Sequence, residues 1–220
     1  MDSQHRMEQT MRVVAINGSP KKDGNTALAL QTVMKELESE GISTELIHIG
    51  NKAVRGCLAC GRCAETKNGT CAIPDAANEW IAAMFAADGV LLGSPVYYSG
   101  INGTMKSFLD RAFCVAGASG RKMRLKVGAA VVAARRSGAS TAVDQLNKYF
   151  TIAEMLMPCS SYWNIVHGRA PGEAAGDAEG LQIMRVLGRN MAWLMKLVDF
   201  GKGHIPPPPM EDRILTSFIR

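Results

Sequence analysis

Four cysteines crowd into one short stretch, Cys57, Cys60, Cys63 and Cys71, spaced C-x2-C-x2-C-x7-C. Four thiolates on a flexible loop can wrap a [4Fe–4S] cube, and short C-x2-C-x2-C spacing is the ferredoxin-type way of holding one. A structural Zn²⁺ ion also takes four thiolates. A loop of reduced thiols is the third reading. Three cysteines at even spacing are less usual for zinc than two C-x2-C pairs. Gly56, Gly61 and Gly69 supply tight turns in the same loop. The remaining cysteines, Cys114 and Cys159, stand alone among apolar residues and read as buried hydrophobes.

A second stretch, Asn17-Gly18-Ser19-Pro20-Lys21-Lys22-Asp23-Gly24-Asn25-Thr26, follows a short apolar run and opens a helical pattern. Free N–H groups at a helix start suit a phosphate. Ser19 and Thr26 add hydroxyls, Asn25 an amide and Lys21 a charge. Neither the mononucleotide P-loop pattern nor GxGxxG is present. Nor is there an acidic residue placed for a ribose hydroxyl, which favours a mononucleotide over a dinucleotide. A plain helix cap after a turn is the bland alternative.

Two further segments carry candidate ligand contacts. Gly93-Ser94-Pro95-Val96-Tyr97-Tyr98 leaves another apolar run, and adjacent tyrosines there can wall a planar ligand. The alternative is that one of them covers the core edge. Arg135 and Arg136 follow the run Val127–Ala133. They are either a solvated pair or cations at a ligand edge.

The elements that must position these residues alternate regularly. Apolar runs at 13–16, 43–49, 89–92, 127–133 and 161–166 read as strands buried in a parallel sheet. Helical patterns lie between them: 25–40 with Ala27, Leu30, Val33, Met34 and Leu37, one from a cap at Asp75 with Trp80, Ile81, Met84 and Phe85, then 103–115 and 141–157, the latter turning Ile152 inward. A last helix carries Leu181 to Val198. Five alternations predict an α/β fold, a parallel sheet with helices on both faces and right-handed crossovers. Ligands in such sheets bind at the carboxyl ends of the strands, where all three candidate loops emerge.

The chain has 220 residues, 47% of them hydrophobic, enough for one α/β domain with a large core. We expect a polar arm at 1–11, a domain over 12–200 with the Cys-rich loop 50–74 inserted after the second strand, and a Pro-rich tail at 201–220. A net charge of +5 is too weak to argue for nucleic acid. No apolar run has membrane-spanning length, and the first residues do not read as a secretory signal. A reducing, cytoplasmic setting is the expectation. His48, His167 and His204 have no paired acid at useful spacing and carry no catalytic role.

G-S-P-x-x-x-G-N-T at Gly18–Thr26, followed by G-S-P-V-Y-x5-G-x-x-K-x-F-x-D-R at Gly93–Arg111, resembles the flavodoxin-like FMN reductase family. With a compact four-Cys motif in the same chain, the sequence is most similar to the iron–sulfur flavoproteins. The resemblance implies a five-stranded flavodoxin-like sheet and bound FMN. The phosphate would sit at Ser19, Lys21, Asn25, Thr26 and Ala27. The flavin would lie against Pro95, Val96, Tyr97 and Tyr98, near Arg135 and Arg136. It also implies a [4Fe–4S] cluster on Cys57, Cys60, Cys63 and Cys71, a ferredoxin-like redox partner and a homo-oligomer, dimer or tetramer. The function expected is electron transfer between FMN and the cluster. An NAD(P)H-dependent FMN or quinone reductase without a cluster is the alternative. A zinc-stapled, flavin-binding interaction protein is the reading of another class.

Overall fold

A computed structural model describes residues 10–216. Nine of the residues assigned to the N-terminal arm, 1–9, and the last four of the tail, 217–220, lie outside the described residues. Five parallel strands form the sheet: β1 (Arg12–Asn17), β2 (Ser43–His48), β3 (Gly89–Tyr97), β5 (Val127–Ala134) and β6 (Ile165–His167). Their order is β2-β1-β3-β5-β6. The chain therefore reverses its direction of winding between β1 and β3, and that switch point is where doubly wound sheets open a crevice. A two-residue strand, β4 (Gly100–Ile101), pairs antiparallel with the end of β3. Periodicity cannot find an element so short.

Strands β1, β3 and β5 read as unbroken apolar runs because both faces are covered. Val13–Ile16, Val90–Leu92 and Val127–Ala134 are buried throughout. On one face α1 (Asn25–Ser39) and α6 (Ala178–Gly201) bury Leu30, Val33, Leu37, Met184, Leu187, Met191 and Met195. On the other, α3 (Ala77–Ala86), α4 (Gly103–Ala118) and α5 (Ala139–Ile152) bury Ile81, Met84, Phe108, Leu109, Leu146 and Phe150. A five-residue helix, α2 (Arg62–Thr66), lies within the Cys-rich loop.

Three expectations are corrected. The last strand is Ile165–His167, not 161–166, because Tyr162 and Trp163 turn outward before pairing with β5 begins. Helix α5 stops at Ile152, whose side chain is 63% exposed rather than inward. Ala76 rather than Asp75 holds the cap position of α3, and Asp75 Oδ1 still accepts from the Ala77 N–H that opens the helix (3.2 Å). The same carboxylate also takes the fork of Arg111 on α4, a charge-assisted contact. Among the described residues, 206–216 have neither helix nor strand, and no helix is long and apolar enough to cross a membrane.

Candidate functional site

The carboxyl ends of the strands line up by register. Asn17 pairs with His48 on one side and Gly93 on the other, and Ala134 pairs with His167. The loops leaving them are locked to one another. Fully buried Asn17 accepts a hydrogen bond from Ser19 N–H (2.9 Å) and donates to the Lys22 carbonyl (3.2 Å). Asn102, also buried, donates to the Gly18 carbonyl (2.6 Å), and its own N–H donates to Ser94 Oγ (3.1 Å). His48 Nε2 lies 2.7 Å from the Ser19 carbonyl. Gly18 is required here, because a Cβ would stand 2.9 Å from that of Met105. Gly50 is more constrained still: a Cβ would lie 2.0 Å from the Ser19 carbonyl oxygen.

These contacts frame a polar cleft of about 210 Å³. It gathers Ser19, Lys21, Asn25, Thr26, Pro95, Val96, Tyr97 and Arg135 from three separate loops. The amides of Asn25, Thr26 and Ala27 open α1, where no intrahelical acceptor is available to them. Ala27 is buried, so only its amide can serve the cleft. Tyr98 is fully exposed in a left-handed turn with Ser99, and neither it nor Arg136 lines the cleft. Neither tyrosine covers the core edge, since Tyr97 is half exposed.

Asn25 does more than sequence reading assigned. Its amide nitrogen donates to the Ala170 carbonyl (2.9 Å), and its oxygen accepts from Ala174 N–H (3.1 Å). The side chain thus ties the start of α1 to the loop after β6, and Gly24 rather than Asn25 occupies the cap position. That loop contributes Gly168, Arg169 and Pro171 to the cleft, residues the site prediction had missed. The Gly/Pro-rich composition of 168–176 was the available signal. Larger cavities exist, of about 420 Å³ between α4 and α5 and about 650 Å³ beneath the tail, but they lie away from the aligned strand ends.

The Cys-rich loop is built differently. Cys57 and Cys60 are exposed, while Cys63 and Cys71 are partly buried. Left-handed backbone at Ala59, Gly61, Lys67 and Gly69 folds the segment back on itself. The four thiols line one small cavity of about 30 Å³, together with Arg111 and Cys114. Cys114 is exposed, not a buried hydrophobe, and its Sγ lies 3.7 Å from Cys63 Sγ. Desolvation, then the neighbouring Cys63 thiol, pushes the Cys114 pKa up to about 12. Cys159 is exposed as well. Four thiols around one cavity are the donor type and number that a [4Fe–4S] cube requires. Among the described residues, no three His, Cys, Asp or Glu side chains converge at metal-binding spacing. A metal would therefore have to draw the loop closed around itself.

Arg111 holds this loop from beneath. Its guanidinium is fully buried and forks onto both carboxylate oxygens of Asp75, at 2.7 and 2.6 Å. Hydrogen bonds from Arg111 hold the Asp75 pKa below the ordinary carboxylate range, against the opposing effect of burial.

A doubly wound sheet of this order, with a polar cleft at its switch point, defines a flavodoxin-like protein. Solved structures agree on the fold. The chain superposes on the quinone oxidoreductase of Methanothermobacter marburgensis with a TM-score of 0.63 at 16% identity, covering 83% of this chain and 96% of that one. A flavodoxin-like WrbA-type protein from Agrobacterium tumefaciens gives 0.60 at 18% identity, with 86% and 98% covered. Residues 11–170 match the NADPH-dependent FMN reductase family, and the chain belongs to that family. It is 36% identical over 195 residues to an iron–sulfur flavoprotein of Methanocaldococcus jannaschii, covering 86% of this chain and 99% of the relative. A second from that organism is 28% identical over 186 residues, with 80% and 92% covered. The protein is a flavin-dependent oxidoreductase.

Proposed function

We propose that the protein binds FMN in the cleft at the switch point, carries a [4Fe–4S] cluster on Cys57, Cys60, Cys63 and Cys71, and passes electrons between the two. The supporting observation is the coexistence, in one chain 36% identical to an iron–sulfur flavoprotein, of a donor-rich cleft and a four-thiol cavity. FMN exchanges one or two electrons and the cluster exchanges one, so together they couple obligate one- and two-electron chemistry.

In this reading the chain's own residues bind and orient. Ser19, Lys21, Asn25, Thr26 and the Ala27 amide receive the phosphate. Pro95, Val96 and Tyr97 flank the ring, and Tyr98 stands exposed beside them. Arg135 supplies positive charge at the cleft, while Arg136 stays in solvent. The loops bonded through Asn17 and Asn102 prevent this seat from collapsing. No side chain is asked to move a proton.

The partner is a small redox protein of the ferredoxin type, or a nicotinamide or quinone substrate, met in the cytoplasm. Exposed Trp193, Leu197 and Phe200 lie along one face of α6 and support self-association as a dimer or tetramer. A second reading, an NAD(P)H-dependent FMN or quinone reductase with no cluster, is supported by the match of residues 11–170 to the NADPH-dependent FMN reductase family.

Anaerobically purified protein separates the two readings. Flavin bands on a broad iron–sulfur absorbance, with four iron and four sulfide per chain, support the first. Flavin without iron, together with NADPH oxidation by a quinone, establishes the second. Bound zinc in place of iron points to the stapled interaction protein.

A further inference from the structure

Among the described residues, Arg111 carries the one fully buried side-chain polar atom without a hydrogen-bond partner, its Nε. The other guanidinium nitrogens are engaged. Nη1 donates to Asp75 (2.7 Å) and to the Arg55 carbonyl (3.3 Å). Nη2 donates to Asp75 (2.6 Å) and to the Ile73 carbonyl (3.4 Å). Arg55 stands two residues before Cys57, and Ile73 two residues after Cys71. One planar group therefore pins both shoulders of the Cys-rich segment to α4.

The same residue lines the thiol cavity. A buried N–H without a partner costs about 1–3 kcal/mol, so such an atom calls for an explanation. A neutral thiol is a poor acceptor for it, whereas an anionic sulfur is a strong one. A guanidinium does not lose its proton in a protein, so the donor is permanently charged. A lysine could not replace it, having a point charge and no fork with which to hold two carbonyls and a carboxylate together.

We propose that Arg111 is the positioning residue of the Cys-rich loop and that its Nε–H donates to an anionic sulfur held in the thiol cavity. This rests on the cluster reading of the four cysteines. Hydrogen bonds to cluster sulfurs stabilise the more negative, reduced state and raise the reduction potential. Arg111 thus sets both the shape of the loop and how readily the cavity's occupant accepts an electron.

The test uses the full chain prepared anaerobically, with iron, sulfide and FMN counted per chain and the cluster titrated by EPR. Arg111→Lys should keep FMN at the wild-type ratio and make cluster reduction about tenfold less favourable, ~59 mV for a one-electron couple. Asp75→Asn leaves Nε in place and loosens the fork. It should release iron to a chelator several-fold faster with little change in potential. An unchanged potential in iron-loaded Arg111→Lys overturns the inference while the cluster reading stands. Should Arg111→Lys fail to fold, an unchanged iron-release rate in Asp75→Asn overturns it. Wild-type protein without iron sinks the cluster reading, and the inference with it.

Discussion

The cleft at the strand ends and the Cys-rich loop are two sites made in opposite ways. In the first, the backbone forms the site. Asn17, Asn102 and His48 bond neighbouring loops to one another, and Gly18 and Gly50 let main chains approach where a Cβ would not fit. In the second, the five thiols share one cavity, yet no three converge. Its segment owes its course to left-handed turns and to a single arginine below it. A site made of hydrogen-bonded main chain is preorganised for its ligand. A site made of side chains on an irregular loop is completed by what it binds, because metal binding and local folding are then one equilibrium.

The largest expected effect tests whether the two sites are separable. Cys60→Ala should remove iron while FMN remains at the wild-type ratio. Loss of both together, measured on the same anaerobic preparation, would show that the cleft depends on the loop.

Gly50→Ala breaks the separation from the other side. The new methyl meets the Ser19 carbonyl at 2.0 Å, so the loop after β1 must move. Overpacking of this kind costs about 1–3 kcal/mol. Denaturant unfolding should show that loss, and fluorescence titration should show FMN binding weakened by about tenfold or more. Intact FMN affinity would mean that the cleft tolerates displacement of Ser19.

Asn25→Ala removes both hydrogen bonds to the 170–174 loop and leaves the Ala174 amide, buried, without its acceptor. A cost of about 1–3 kcal/mol in stability is expected, with faster FMN dissociation by stopped flow. An off-rate equal to wild type would place that loop outside the FMN seat.

Arg135→Gln should act on potential rather than on binding. A cation beside the ring stabilises reduced, more negative flavin, and in partly solvated surroundings one charge is worth about 1 kcal/mol. That corresponds to a two-electron midpoint lower by on the order of 20 mV. Arg136→Gln, outside the cleft, should leave the midpoint where it was. Equal shifts in the two variants would mean a diffuse field rather than a placed charge.

The smallest effect belongs to the ion pair beneath the loop. The Asp75 pKa is lowered in the folded protein, chiefly by its hydrogen bonds from Arg111. Its contribution is therefore present above the unfolded carboxylate value, near 3.9, and is lost as pH falls through the folded value. Unfolding between pH 6 and 3 should show a smaller decline in stability for Asp75→Asn than for wild type. Parallel declines would mean that the pair is not linked to folding.

Much was legible in the sequence, for identifiable physical reasons. Runs such as Val13–Ile16 and Val127–Ala134 have no polar face, so only a two-sided sheet could bury them, and helical stripes between them dictated the alternation. The donors at Ser19, Lys21 and Thr26 were visible because they follow a strand and precede a helix, and the cysteines because their spacing is short. Long-range pairings had no such local signal. Nothing near Asn25 in the chain announces that it will bind Ala170 and Ala174, and nothing near Asp75 says that its carboxylate, beside the start of α3, will also take the fork of Arg111. Cys114 looked like core because its neighbours are apolar, yet α4 turns it toward Cys63. Composition and period determine which elements form and which loops meet at the sheet edge. Which of two adjacent tyrosines or arginines faces the cleft, and which arginine underpins a distant loop, depends on rotations and contacts that exist only once the chain has closed.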